Sequence, residues 1–248
     1  MSATIRTAIT RAAGAALAAA AALAGAARAQ EPTGQFSVTT RLGGVHFDRA
    51  ASLKTAPFIG LDAEYGLSRN FAVGTEIDVT RPSTRAEDFL TTLTFGTPVT
   101  GDTTLFFQTG QAVSIVHGGL LLRARYPGAR LTPFAVGGAG YYAMFFDPQI
   151  SRGTRRETSP SLTIGGGVGI KLTDRAGLQL DARDLIFTDY KASRLDPSGG
   201  RNPNIYFPED FPTPPARKST VHNILFSIGF RYVPSGARGT EGEAEGSK

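Results

Sequence analysis

Cysteine and tryptophan are both absent from the 248-residue chain. Without cysteine there is no disulfide framework, no thiolate metal site, no cysteine nucleophile and no lipid-bearing cysteine. Beyond residue 30 there is no run of about 18 apolar residues, so no helical membrane span is expected there. Long amphipathic helical patterns are missing as well. Histidine is scarce: His46, His117 and His222 are the only three, and no two are spaced closely enough to form a metal site on one strand. No metal and no cofactor is expected.

An excess of charge of one sign is also lacking. The formal net charge is +5, but Arg6, Arg11 and Arg28 fall in the first 29 residues. Those residues read as a secretory signal peptide, 1–29. It has a basic start without acids, an Ala/Leu stretch from Ala12 to Ala24, and the small-x-small site Ala27-Arg28-Ala29 before Gln30. The stretch is too short and too Ala-rich for a transmembrane anchor. Removing three of 26 basic residues leaves 23 against 21 acidic ones, a charge of +2, so nothing here argues for a nucleic-acid partner.

What the chain does have is glycine, 30 residues of it, and period-2 alternation. In "LTIGGGVGIKLTDRAGLQLDARD", residues 162–184, Leu162, Ile164, Val168, Ile170 and Leu172 share one face, and Gly165, Gly167, Gly169 and Lys171 the other. A phosphate-binding loop is excluded in detail. G-x-x-x-x-G-K needs lysine directly after glycine, but Ile170 separates Gly169 from Lys171; G-x-G-x-x-G from Gly165 would need glycine at Ile170. The segment is a hairpin turning at 173–176. Similar alternation predicts strands at 35–47, 57–67, 71–80, 111–126, 131–145, 159–172, 177–188 and 220–232. These are long enough, when tilted, to cross a bilayer core. Tight links at 67–70, 127–130 and 173–176 alternate with long ones at 48–56, 81–110, 146–158 and 189–219. The expected fold is all-β: an eight-stranded antiparallel up-and-down transmembrane β-barrel over 30–232, followed by a Gly/Glu-rich disordered periplasmic tail, 233–248.

A soluble lipocalin-type barrel would turn its apolar face inward, a membrane barrel outward. Two features favour the membrane. First, aromatics of the apolar track gather at the short-turn ends: Phe36, Tyr65, Phe71, Tyr126, Phe134 and Tyr232, an expected interface girdle. Second, the other track mixes small residues with charges of both signs, as a narrow lumen requires. The expected lumen charge network is Arg41, Asp62, Glu64, Glu76, Asp78, Arg123, Arg125, Lys171, Asp181, Arg183 and Arg231. Counting from the short turns puts Arg123 near Glu76, Arg41 near Asp62, and Arg231 and Lys171 near Asp181. His117 lies on the same inward track, with His46 and His222 near the loop-side strand ends. Asp184 falls on the outward track, unless a bulge at Arg183–Asp184 turns it inward and sends Leu185 and Phe187 to lipid.

"TPFAVGGAGYY" (132–142), "IGGGVGIKLTDRAGLQLDARD" (164–184) and the aromatic-rich "ILFSIGFRY" (224–232) resemble the OmpA-like and OmpW-like family of outer-membrane β-barrels. The resemblance implies a location in the cell outer membrane of a Gram-negative-type bacterium, insertion by the outer-membrane assembly machinery, and outer-membrane lipid as surroundings. The chain departs from the pattern in that Tyr232 is not terminal, and 16 further residues are too few for a peptidoglycan-binding domain. Three roles remain. The first is a structural or surface-interaction barrel, closed by its salt bridges and meeting an extracellular ligand of unknown identity through its loops. The second is a narrow channel for ions or small hydrophobic solutes, using the same charges as a gate. The third is a lipid-modifying enzyme, which needs Ser, His and an acid to converge near the rim; Ser114 and His117 differ in parity, and no catalytic residue is assigned. The loop aromatics Phe106, Phe107, Tyr206, Phe207 and Phe211 are read as a cap on the barrel mouth or a partner contact.

Overall fold

The computed structural model describes residues 34–97, 101–108, 110–126, 128, 130–146, 155–195 and 218–234, with the backbone course alone for 90–97, 101–107 and 155. The expected signal peptide, almost all of the expected tail, and Tyr206, Phe207 and Phe211 lie outside the described residues, as do the side chains of Phe106 and Phe107.

Alternating sequences become strands because a pleated chain sends successive side chains to opposite faces. Among the described residues there are ten: β1 (Phe36–Phe47), β2 (Ala56–Gly66), β3 (Phe71–Thr80), β4 (Leu90–Thr97), β5 (Gly101–Gln108), β6 (Val113–Arg125), β7 (Leu131–Phe146), β8 (Arg155–Lys171), β9 (Ala176–Phe187) and β10 (Val221–Tyr232). Eight close into an antiparallel barrel in the order β1-β10-β9-β8-β7-β6-β3-β2, with β1 paired to both β10 and β2. These eight follow the expected strands closely. β4 and β5 form a separate two-stranded sheet inside the long connection from β3 to β6. That hairpin is an addition to the expected plan.

The outward face is apolar. Leu120, Ile164 and Ile228 are each 60% exposed or more, and large aliphatic side chains cover every barrel strand around them. Such a surface would drive aggregation in water and is at rest only against hydrocarbon. At the short-turn end Phe36, Tyr65, Phe71, Tyr126 and Tyr232 all face outward, with Phe36 directly opposite Tyr65 in the register. Phe134 does not join them. It is 4% exposed and points into the lumen, because the outward track of β7 runs through Leu131, Tyr141 and Phe145. Both tracks of β7 are apolar or small, so polarity could not reveal its parity.

The lumen is divided. Toward the long-loop rim the inward side chains are apolar: Phe47, Phe58, Ile115, Met144, Leu185 and Phe187 belong to one buried cluster. The loops complete it with Ala50, Ala51, Leu53, Phe89, Tyr190 and Leu195. Polar contacts hold these loops down. Arg49 pairs with Asp88, Nη2 to Oδ1 at 2.6 Å. Tyr190 donates its hydroxyl to Ala51 O at 2.7 Å, and Gln111 Nε2 donates to Leu195 O at 2.8 Å. Burial pushes the Tyr190 hydroxyl well above the usual tyrosine pKa, so it remains a donor. The connection 48–55 turns through the 3-10 segment Arg49–Ala51, which the Asp48 carboxylate caps and Ser52 ends in the left-handed region at φ 56°.

The Phe187 ring stacks on Tyr142 at 3.9 Å between centroids and lies 6.1 Å from Tyr190. Phe187→Ala should therefore open a cavity and cost roughly 3–5 kcal/mol. Urea unfolding in lipid vesicles checks this. Leu120→Ala on the outward face should cost less, since lipid fills the vacated space. Equal costs would contradict the inward packing of Phe187.

Candidate functional site: the charged lumen

Below the apolar layer the inward tracks carry charge. β1 contributes Arg41, β2 Asp62 and Glu64, β3 Glu76 and Asp78, β6 His117, Arg123 and Arg125, and β9 Asp181 and Arg183; all are buried. They are inward because each sits in phase with buried neighbours on an alternating strand. Glycine provides the room. A Cβ on Gly60 would collide with Asp78 Oδ1 and approach Arg41 Nη2 to 3.1 Å, and one on Gly165 would meet Arg183 Cα at 2.7 Å.

Arg183 is the centre of the network. Its Nη2 contacts Asp62 Oδ2 at 2.6 Å and Asp181 Oδ2 at 2.8 Å, and its Nη1 contacts Glu76 Oε2 at 2.8 Å. β9 and β3 are diametrically opposite in the barrel order, so this side chain spans the lumen. Arg41 adds a second bridge: Nη2 lies 2.9 Å from Asp62 Oδ1, 2.7 Å from Asp78 Oδ1 and 3.5 Å from Glu76 Oε2. Arg123 forms a third toward the short-turn end, with Glu64 Oε1 at 2.6 Å, Asp62 Oδ2 at 3.4 Å and Gln179 Oε1 at 2.7 Å. Neutral groups fill in: Thr163 Oγ1 donates to Glu76 Oε1 at 2.6 Å, Gln179 Nε2 to Asp181 Oδ2 at 2.9 Å, and Ser227 Oγ also bonds Asp181. The Arg123 guanidinium lies over the Phe134 ring, 4.1 Å from its centroid, so the residue expected in the girdle instead floors the network.

Several expected neighbours differ. Arg41 does meet Asp62, but Arg123 pairs with Glu64 and Asp62, while Glu76 is taken by Arg183 and Arg41. Closing a barrel staggers neighbouring strands, so residues equally far from the short turns do not share a height. Lys171 is not a lumen residue. Its side chain is 43% exposed and pairs with Asp174 of the adjoining turn at 2.7 Å. The Lys171 ammonium beside it holds the Asp174 carboxyl below its usual pKa. Arg231 is half-buried at the short-turn end, opposite Thr39 and Gly177 in the register. The pairing of β9 with both neighbours is unbroken through Arg183 and Asp184, so there is no bulge. Asp184 stays outward and bonds His222 Nδ1 at 2.7 Å, three residues from the loop end of β9. Leu185 and Phe187 accordingly face the lumen. Thr163, Gln179 and Ser227 also belong to the network; parity places them on the inward track, but a network read from charge alone does not include them.

Removing one partner from a buried pair leaves a charge without compensation, at roughly 3–5 kcal/mol. Arg123→Ala should reach that range, and adding Glu64→Ala should cost less than the sum of the single changes. A double-mutant cycle read by urea unfolding in vesicles checks this; strict additivity would show that the two do not pair.

The sequence profile described as outer membrane protein beta-barrel domain matches residues 15–198. Comparison with curated proteins found no match. Among solved structures, the fold is similar to that of Neisserial surface protein A, with 12% identity, 82% of this chain and 99% of that chain covered, and a TM-score of 0.50. OprG from Pseudomonas aeruginosa gives 14% identity, coverage of 82% and 97%, and a TM-score of 0.46. AlkL, solved in DMPC lipid bilayers, gives 18% identity, coverage of 87% and 97%, and a TM-score of 0.44. Identities this low speak to the fold and carry no activity across. With the closed eight-stranded barrel and the family match together, the chain belongs to the outer membrane protein beta-barrel family and resides in the outer membrane of a Gram-negative-type cell.

Proposed function

We propose that this protein is a closed barrel that works at the cell surface through its long-loop rim. The observation that carries the reading is the double filling of the lumen. An apolar layer sits under the long loops, and a salt-bridge network spans the space beneath it. An eight-stranded barrel is just wide enough for side chains to fill. Loops anchored by Arg49–Asp88, Tyr190–Ala51 and Gln111–Leu195 form a platform whose order does not wait for a partner. The β4–β5 hairpin rises from this platform between the buried Phe89 and Gln111. Specificity then resides in the loops and the hairpin, as it commonly does on rigid scaffolds.

The narrow channel remains the competing reading, because the same arginines and carboxylates could exchange partners around a water path. Planar-bilayer recording separates the two. The closed barrel predicts no stable conductance steps; reproducible unit steps would put the channel first. Sidedness is tested by single cysteines in a chain that has none of its own. Thr94→Cys in the hairpin should react with a membrane-impermeant maleimide on intact cells. Asp174→Cys, on a side chain 93% exposed at the short-turn rim, should react only after permeabilisation. The reverse pattern would refute the surface role of the long loops.

A further inference from the structure

Among the described residues, His117 is a buried side chain at the edge of the ion-pair network. His117 is 2% exposed, and neither ring nitrogen has a hydrogen-bond partner. A buried imidazole without partners is costly, so its surroundings should supply something for it to bind. The antiparallel register places it directly opposite Asp78 on β3. Its Nδ1 is 3.5 Å from Asp78 Oδ2 and 3.9 Å from Glu76 Oε1, too far for good hydrogen bonds.

The two carboxylates divide their oxygens. Asp78 offers Oδ1 to Arg41, and Glu76 offers Oε2 to Arg183 and Arg41. The oxygens nearest the imidazole are the other two. Of these, Glu76 Oε1 accepts the Thr163 hydroxyl at 2.6 Å, which fixes the carboxylate plane and leaves a lone pair. The guanidiniums of Arg41 and Arg183 are shared among Asp62, Glu76, Asp78 and Asp181, and Arg123 reaches this group only through Asp62 while also serving Glu64.

We propose that Glu76, Asp78 and His117 bind a divalent first-row cation of the zinc type, through one imidazole nitrogen and two carboxylate oxygens. The three ligand atoms lie within 4.8 Å of one another. Bonds of about 2.0–2.2 Å at tetrahedral angles set donors roughly 3.3–3.5 Å apart. The Asp78–His117 separation of 3.5 Å already has that spacing; the Glu76 oxygen, 3.9 Å from Nδ1 in a trio that spans up to 4.8 Å, has to draw inward to complete it. Mixed nitrogen and oxygen donors select a borderline cation over calcium or magnesium. The Thr163 hydroxyl on Glu76 is the outer partner that orients such a ligand. The ion would pin β3 to β6, two neighbouring strands separated in sequence by the long connection that carries the hairpin. This reading is independent of whether the lumen conducts.

The test uses the untagged chain folded in lipid vesicles, loaded with Zn2+ and freed of unbound ion by gel filtration. The expected result is one retained zinc per chain and an unfolding midpoint moved to higher urea by zinc. His117→Gln, which keeps an uncharged polar side chain, should lose both effects while still folding. The double variant His46→Gln with His222→Gln should keep both. X-ray absorption at the zinc edge should show one imidazole ligand, a readout that does not depend on any variant's fold. Absence of retained zinc in the folded parent would overturn the proposal. Unchanged retention in His117→Gln would overturn it too, as would retention that disappears with the two outward histidines.

Discussion

One guanidinium spans this barrel. Arg183 leaves β9 and reaches Asp62 on β2 and Glu76 on β3, with Asp181 of its own strand behind it. Its position requires that every surrounding strand keep its register, because a one-residue slip would turn the partner out to lipid. It also requires glycine at Gly165, where any side chain would strike Arg183 itself. Such a buried network contributes little net stability relative to an apolar filling, but breaking it is expensive. Its effect is therefore on specificity of register: slipped barrels leave carboxylates without cations.

The rest of the structure can be arranged around that constraint. The outer face is hydrophobic because the solvent is lipid, so the usual inside-out rule is reversed across most of the strand length. Toward the long loops the lumen returns to the packing of a soluble protein, with Phe187, Tyr142 and Tyr190 in contact and the loops folded over them. The molecule thus has a charged middle, an apolar lid built of strand ends and loops, and an aromatic ring at the short-turn rim. The outward Asp184 fits this arrangement because it lies near the loop end of its strand and shares its charge with His222.

Much of this was readable from the chain. Alternation located all eight barrel strands, and parity alone sent Arg41, Asp62, Glu64, Glu76, Asp78, Arg123, Arg125, Asp181 and Arg183 inward. What parity could not provide was height. Barrel stagger decides that Arg123 meets Glu64 rather than Glu76, and stagger follows from closure, a property of the whole sheet. Phe134 was misplaced because β7 has two apolar tracks, and Lys171 because a strand end can lean toward its turn charge as easily as toward the lumen. The β4–β5 hairpin is not marked by its sequence because "LTTLTFGT" and "GDTTLFFQ" are short and Thr-rich, and only Leu93 and Phe95 set a brief alternation inside a long connection. The relation of His117 to Asp78 joins two strands far apart in sequence, and spacing rules along one strand do not reach it.

The central claim is that the Arg183 guanidinium is held by Asp62, Glu76 and Asp181 in a lumen that side chains close. Solvent exchange of guanidinium protons, followed by NMR on the barrel in lipid, measures this most directly. The account predicts Arg183 Nη protons that exchange orders of magnitude more slowly than those of Arg175, which lies exposed in the short turn after β8. Exchange of Arg183 at the rate of Arg175 would show water moving freely through the lumen and would contradict the closed, ion-paired barrel.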